Sequence, residues 1–217
     1  GGGSFTAPDG SRDVLRDPGV AGLSYELEKP DGTRYQFLPG GELRFIVDPF
    51  GHRTVLTYSG ADLWRVTDET SGRFLQLQWD GDRIEYVDAP NPAPAGGTVR
   101  WAYHYTTGSP ARLERVCGPR AVSSTFDDCV TYTWLPSGQL DTITDAEGYV
   151  VVDLGYDDVT GQVASLTGDG IGVTEYTWVR DAVSGDVTAT ATEPGALVTE
   201  QVFDANYRVV SDRAPGQ

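Results

Sequence analysis

Apolar and polar residues alternate along this chain in short runs, and one motif within the alternation recurs. The motif has a small or polar residue, an aromatic or aliphatic residue, two spacers, a second aliphatic residue and then Thr, Ser or Asp. It occupies residues 41–48, 63–68, 138–145 and 161–167. Period-2 alternation predicts β-strands, and repeats of about twenty residues predict a stacked array in which each unit packs on its neighbours.

Each motif is followed by a turn and then by a second strand that ends on an aromatic residue. The turns combine Asp or Thr with Gly, as in Asp48-Pro49-Phe50-Gly51 and Asp145-Ala146-Glu147-Gly148. Because proline presets φ and glycine supplies a positive φ, these turns predict β-hairpins. Strands are predicted near residues 24–28, 33–38, 42–47, 54–58, 63–67, 73–79, 83–87, 99–105, 112–116, 150–156, 173–178 and 198–203.

The residues that define the repeat are the aromatic residues that end these strands and the aliphatic residues of the motif. Several of the aromatic residues are followed directly by Asp, as in Tyr156-Asp157. No helical periodicity of useful length is present, so the predicted fold class is all-β, a repetitive antiparallel β-hairpin array. The repeat-defining residues are Tyr58, Trp79, Leu140, Ile143, Tyr156, Val163, Leu166, Trp178 and Phe203.

Two segments interrupt the alternation. Residues 1–22 are rich in Gly, Asp, Pro and Arg and predict an irregular lead-in, so the array is expected to span residues 23–217. Within it, residues 88–130 predict an irregular insertion. Its first part is an exposed loop, because the prolines of residues 88–97 cannot donate to a β-ladder.

This pattern resembles the YD repeats of Rhs proteins, teneurins and the C components of ABC toxin complexes, with their Tyr-Asp, Gly-Arg-Leu and Asp-Pro-x-Gly elements. The resemblance covers roughly residues 25–212 and is weakest between residues 88 and 130. It implies a segment of a curved sheet or shell, a structural scaffold that encloses or presents a toxin or other cargo polypeptide. The implied partners are other segments or copies of the same YD-repeat protein and an enclosed toxin polypeptide.

Rhs proteins also carry Asp-Pro-x-Gly elements in the self-cleaving core that follows their repeats. Here Asp48-Pro49-Phe50-Gly51 continues through Arg53-Thr54 into an ordinary strand. The match is therefore to the repeat turn and not to the protease.

The charge narrows the choice of partners. A net charge of −16 and an isoelectric point near 4.3 argue against nucleic acid and against anionic membranes, which both require clustered Lys and Arg. No apolar run has the length of a membrane span, so no membrane insertion is predicted.

The beginning of the chain lacks a secretory segment. The chain contains no methionine and opens with Gly1-Gly2-Gly3-Ser4. We therefore expect a piece of a longer precursor that is secreted or displayed at the cell surface, and whether these four residues are native stays open.

The two cysteines, Cys117 and Cys129, close a short polar loop between strands. In an acidic repeat protein they predict a local disulfide formed in an oxidising compartment. A zinc site and a redox pair are weaker interpretations, because no suitably spaced histidine and no Cys-x-x-Cys motif are present.

Candidate catalytic chemistry is restricted by the two histidines. His52 follows the Pro-Phe-Gly turn and is interpreted as a solvated turn residue, while His104 lies on a strand and is interpreted as a cross-strand contact. The sequence predicts no catalytic residue, no enzyme and no cofactor. Acidic pairs are interpreted as turn residues rather than a metal site, with calcium left open; they lie at residues 80–82, 127–128, 157–158 and 168–170.

An alternative function is an extracellular binding module. The loops of residues 88–130 would recognise a glycan or a surface protein, with Trp101, Tyr103 and Tyr105 as candidate binding aromatics. The simpler interpretation is that such aromatic residues are cross-strand anchors that fix the register.

Overall fold

A computed structural model describes Phe5 and residues 11–92, 96–121, 128–168, 170 and 172–213. These residues contain eighteen β-strands and no helix. They divide into two compact units, one with the described residues up to Tyr103 and 118–121, the other with 104–117 and the residues from 128 onwards. The predicted all-β array of antiparallel hairpins is confirmed.

The first unit is a meander in which each strand pairs antiparallel with the next strand in the chain. Its strands are β1 (Val14–Arg16), β2 (Tyr25–Glu28), β3 (Arg34–Phe37), β4 (Leu43–Val47), β5 (Arg53–Ser59), β6 (Asp62–Asp68), β7 (Phe74–Asp80), β8 (Arg83–Pro90) and, as far as Tyr103, β9 (Thr98–Tyr105).

The second unit is a meander of the same kind. It contains β10 (Leu113–Ala121) as far as Cys117 and continues with β11 (Cys129–Trp134), β12 (Leu140–Thr144), β13 (Val150–Tyr156), β14 (Val163–Gly168), β15 (Gly172–Arg180), β16 (Val187–Glu193), β17 (Leu197–Phe203) and β18 (Val209–Arg213).

The structure differs from the prediction in the two segments that were expected to be irregular. The lead-in contains β1, because Leu15 lies opposite Leu27 and Arg16 lies opposite Glu26 of β2. Within the insertion, β9 and the first part of β10 agree with the strands predicted at residues 99–105 and 112–116, but β10 extends to Ala121 and β8 extends into the expected loop. Pro90 is the last residue of β8 and therefore has no further ladder to interrupt. Residues 93–95 and 122–127 of the insertion lie outside the described residues.

A repeated β-bulge explains the spacing of the sequence motif. Two aliphatic residues three positions apart would lie on opposite faces of a regular strand. In the hairpin of β3 and β4, however, Phe37 pairs with Leu43 and Tyr35 pairs with Ile46, so β4 carries one extra residue. Since a bulge adds one residue to one strand, Leu43 and Ile46 lie on the same face.

The same bulge recurs along the array. In the hairpin of β5 and β6, Tyr58 pairs with Leu63 and Leu56 pairs with Val66. Each of these hairpins thus places an aromatic residue and the residue two before it against the two aliphatic residues of the motif. Equivalent sets are Leu77, Trp79, Ile84 and Val87; Tyr132, Trp134, Leu140 and Ile143; and Leu154, Tyr156, Val163 and Leu166.

Burial is shallow throughout the described residues. The buried apolar residues among them are Val47, Leu56, Ala102, Cys117 and Val187. Most strand residues are half-buried instead, as in β12 and β14. Each unit is therefore stabilised by contacts between neighbouring strands rather than by a deep core, as in other repeat arrays.

Buried carboxylates are held in two similar arrangements in the first unit. Glu26 is 3% exposed and accepts hydrogen bonds from Arg16 and Gln36 on the strands at either side. Asp88 is 6% exposed and accepts from Arg100 and Gln78. Although burial opposes ionisation, the hydrogen bonds from Gln36 and Arg16 lower the pKa of Glu26. Each carboxylate joins three strands, and these hydrogen bonds favour the ionised form of Glu26.

The register predicts where a second disulfide would form. Cys117 and Cys129 lie directly opposite each other on β10 and β11 and form a disulfide, and Val47 and Arg53 occupy directly opposite positions on β4 and β5. We expect the variant V47C/R53C to form a second disulfide, detected by mass spectrometry of the unreduced, digested protein. V47C/T54C is the matched control, because Thr54 pairs with Ile46 and lies on the other face. Equal bridging in both variants would contradict the register.

Candidate functional site

Five aromatic side chains in the described residues donate hydrogen bonds to a backbone carbonyl of the preceding strand. The distances from donor to acceptor are 2.7–2.8 Å. The pairs are the Tyr58 hydroxyl with Leu43, the Trp79 indole with Leu63, the Trp134 indole with Leu113, the Tyr156 hydroxyl with Leu140 and the Trp178 indole with Val163. We call each of these contacts an aromatic joint.

The five joints share one register. The residue two positions after the acceptor always lies opposite the residue three positions before the donor. The opposed pairs are Phe45 with Val55, Arg65 with Gln76, Arg115 with Thr131, Thr142 with Asp153 and Ser165 with Glu175. The aromatic joint is therefore one geometry repeated in both units.

The joint lies where the ladder between two strands ends. The register of β4 with β5 starts at Phe45, beyond the acceptor Leu43, and the bulge of β4 lies between them. A buried carbonyl without a partner would destabilise the fold, so a side-chain donor at this point replaces the missing ladder contact. Burial raises the pKa of Tyr58, which keeps its hydroxyl protonated as a donor at neutral pH.

Most of the repeat-defining residues belong to these joints. Tyr58, Trp79, Tyr156 and Trp178 are donors, and Leu140 and Val163 are acceptors. Ile143 and Leu166 are second aliphatic residues of their motifs. Phe203 lies at a hairpin bulge as the donors Tyr58 and Tyr156 do, but its ring has no hydrogen to donate.

Sequence reasoning missed the joint of Trp134 with Leu113. A usable signal was present, because Trp134 lies six residues before Leu140, as Phe37 lies six before Leu43. The joint is next to the disulfide, since Leu113 and Cys117 are on β10 while Trp134 and Cys129 are on β11.

Aspartates cap the turns beside the joints. Asp157 follows Tyr156, and its carboxylate accepts hydrogen bonds from the backbone amides of Val159 and Thr160. Asp204 follows Phe203 and accepts from the amides of Asn206 and Arg208. Hydrogen bonds led by the Thr160 amide lower the pKa of Asp157, and those led by the Arg208 amide lower that of Asp204. In Tyr156-Asp157 the tyrosine joins two strands and the aspartate closes the next turn.

His52 lies on the rim of an open cleft of about 310 Å³ between two turns of the first unit. Its Nδ1 is 2.8 Å from Oδ2 of Asp48, and its side chain is 63% exposed. Desolvation acts to raise the pKa of Asp48, but hydrogen bonds from His52 and from the amide of Phe50 outweigh it and lower this pKa. The predicted solvent-exposed turn position of His52 is confirmed, and His104 lies half-buried on β9.

The acidic pairs that the structure describes lie in turns or directly beside them. Asp82 is 87% exposed in the turn before β8, and Asp157 caps its turn. Asp127 and Asp169 lie outside the described residues. Elsewhere, no three His, Cys, Asp or Glu side chains come together in a way that could hold a metal ion.

The candidate binding aromatics all lie on β9. Trp101, Tyr103 and Tyr105 are half-buried, and Trp101 lies opposite Val87 of β8. Tyr105 ends β9 as Tyr156 ends β13. Exposed tryptophans occur on other strands, with Trp64 39% and Trp178 37% exposed.

No family model matches the chain, and no curated protein matches it. Among solved structures, the chain is similar to a porin-like protein from Bacteroides uniformis ATCC 8492. The two share 13% identity over 90% of this chain and 91% of that chain, with a TM-score of 0.45, a level that assigns neither fold nor function. The stretches of chain that the structure describes contain no helix that could span a membrane.

Removing one donor tests the contribution of a joint to stability. We expect Tyr156→Phe to lower the free energy of unfolding by about 1–2 kcal/mol, because the ring stays while the carbonyl of Leu140 loses its partner. Urea denaturation followed by tryptophan fluorescence measures the change. Tyr149→Phe is the matched control, since Tyr149 is 65% exposed. An equal effect of both substitutions would refute the role of the joint.

The capping aspartates predict a loss of stability in acid. The pKa of Asp157 is lowered by folding, so its contribution is present above the unfolded pKa of about 4 and is lost as pH falls through the folded pKa. We expect Asp157→Asn to be less stable than the wild type at pH 7, with a difference that shrinks towards pH 3. Urea midpoints across this range provide the measurement. Asp158→Asn, in the same turn, is the matched control, and an equal effect of both substitutions would contradict the role of the Asp157 cap.

Proposed function

We propose that this chain is a structural scaffold segment of a secreted YD-repeat protein of the Rhs-like or cell-surface type. In this role it forms part of a β-shell that encloses or presents a cargo or toxin polypeptide. The fold of antiparallel hairpins and the disulfide are the observations on which the proposal builds. The YD-repeat assignment itself rests on the sequence resemblance.

The recurrence of the aromatic joint is the observation that carries this proposal. The same donor position, acceptor position and register occur between β4 and β5, β6 and β7, β10 and β11, β12 and β13, and β14 and β15. Enzymes concentrate their chemistry in one constellation, whereas here the distinctive interaction is distributed along the chain. A distributed interaction that holds successive strands together supports a wall-forming role.

The polar face of the first unit supports enclosure of a polypeptide. The register aligns Arg16, Glu26 and Gln36 in one row and Arg65, Gln76, Asp88 and Arg100 in another row on the same face. Arg53 lies over the ring of Phe45 at 4.4 Å, and Arg65 lies over Phe74 at 3.7 Å. A face of this kind is polar and would border a polypeptide without the strong adhesion of an apolar wall.

An oxidising compartment is supported by the disulfide. Disulfides such as Cys117–Cys129 form and persist outside the reducing cytosol. The bond lies beside the joint of Trp134 and fixes the same two strands. We therefore propose that the chain functions outside the cytosol, as a secreted or surface protein.

The test combines sedimentation of the purified chain with electron microscopy. A scaffold segment should form curved walls, or closed or polymeric shells of several copies, and Tyr156→Phe should make these structures less stable. A compact monomer that binds a glycan array, with binding lost in Trp101→Ala, would overturn the scaffold and favour the binding module instead.

A further inference from the structure

Three arginine side chains on the polar face of the first unit stack on aromatic rings. The pairs, with the distance from the guanidinium carbon to the ring centre, are Arg53 with Phe45 at 4.4 Å, Arg65 with Phe74 at 3.7 Å and Arg100 with Tyr86 at 4.3 Å. A ring face attracts the cation and orients the planar guanidinium, while the edge of the guanidinium stays available for hydrogen bonds. We call each pair an arginine stack.

Two of the three arginine stacks include a carboxylate of the chain. Nε of Arg100 donates to Oδ1 of Asp88 at 2.7 Å, and Nη2 donates to Oδ2 at 2.8 Å. Nε of Arg53 is 2.9 Å from Oε2 of Glu69, and Nη2 donates to Oε1 at 3.3 Å. In both stacks the carboxylate therefore meets the Nε edge of the guanidinium, in the two-pronged geometry that suits both groups.

The Arg65 stack has no such partner. Within the part of the chain that the structure describes, Arg65 forms no hydrogen bond or ion pair, and its Nε is buried without an acceptor. The residues opposite it on the adjacent strands are Thr57 and Gln76, which carry no charge. Because a buried donor without an acceptor costs free energy, the missing acceptor points to a partner from outside the fold.

We propose that Arg65 binds the carboxylate of an Asp or Glu side chain of the polypeptide that the shell encloses. This inference rests on the proposed scaffold function and names one contact between the wall and its cargo. The incoming carboxylate takes the place at Nε of Arg65 that Asp88 takes at Nε of Arg100. Since Nε of Arg65 is shielded from solvent, the side chain must shift slightly to admit the carboxylate.

The surroundings of Arg65 suit a carboxylate that is carried on a short apolar stem. The guanidinium carbon of Arg65 is 5.8 Å from the ring centre of Trp64, and Trp64 is 39% exposed. This ring offers an apolar surface to the methylene groups of Asp or Glu, which free acetate lacks. The side chains of Thr57 and Gln76 can also form hydrogen bonds with the backbone of an incoming chain.

The net charge of −16 does not prevent an acidic side chain from binding at this position. At physiological salt, charges more than about 8 Å apart are largely screened, so the charges close to the site decide. The carboxylates that share this face, those of Glu26, Glu28 and Asp88, are each paired with an arginine. They therefore do not cancel the positive charge of Arg65.

Nuclear magnetic resonance of the whole chain, isotopically labelled at nitrogen, tests the site directly. The probe is a blocked pentapeptide with one Glu between pairs of glycines, and the readout is the Nε–H signal of Arg65, identified by its loss in Arg65→Lys. We expect the Glu peptide to shift this signal saturably, because the carboxylate supplies the missing acceptor. The same peptide with Gln in place of Glu should bind about tenfold more weakly, since a neutral acceptor replaces a charged one.

Two matched variants assign the binding to the Arg65 stack. Arg65→Lys keeps the positive charge but removes the planar fork, so the Glu peptide should bind to it about tenfold more weakly. Arg53→Lys changes an arginine whose stack already includes Glu69, and it should leave peptide binding unchanged. The indole N–H signal of Trp64 follows binding in both variants. If backbone amide spectra show that Arg65→Lys is unfolded, the comparison of the Glu and Gln peptides on the native chain decides.

Several results would overturn the proposal. An Nε–H signal of Arg65 that the Glu peptide does not shift, or that the Gln peptide shifts equally, would leave the guanidinium a packing group with the rings as its partners. Equal affinity of acetate and the Glu peptide would make the site a receptor for free carboxylates. An equal loss of binding in Arg53→Lys and Arg65→Lys would reduce the effect to general charge. The shell test uses no peptide, so failure here is distinguishable from failure of the scaffold function.

Discussion

One hydrogen bond, from an aromatic side chain to the backbone carbonyl beside a β-bulge, determines how this array continues from hairpin to hairpin. The bulge is required for the two aliphatic residues of the motif to share a face. On the other side of the bulged strand, pairing with the next strand starts two residues after the acceptor, as at Phe45 after Leu43. Tyr and Trp provide both an apolar ring for the hairpin and a donor for the exposed end of the ladder. The remaining architecture, from turn to disulfide, follows the register that this contact sets.

The strands were predictable because each one is specified by residues within its own short stretch of sequence. Alternation and Asp or Gly turns placed β5, β7 and β13 within one residue of their observed limits. Sequence could also identify Tyr156 and Leu140 as recurring positions. It could not show that they bind each other, because the contact requires the bulge, and a bulge leaves no distinctive residue in the chain.

The polar interactions between distant residues were the part that sequence could not provide. Glu26 follows ordinary alternation, and nothing in its neighbours distinguishes a buried carboxylate from a solvated one. Its partner Arg16 lies in a segment without visible alternation, and that segment becomes strand only through pairing with β2. The short strand and the buried charge depend on each other, so neither could be inferred alone.

The identical register of the joints also affects how such a chain can change over generations. Tyr58 and Trp79 are separated by one complete unit, and each donates its side-chain hydrogen bond to the strand before it. Duplication or deletion of a whole unit between such equivalent points would rejoin a correct donor to a correct acceptor. The length of the array is therefore free to vary by recombination, while loss of a single residue would shift every later side chain to the opposite face.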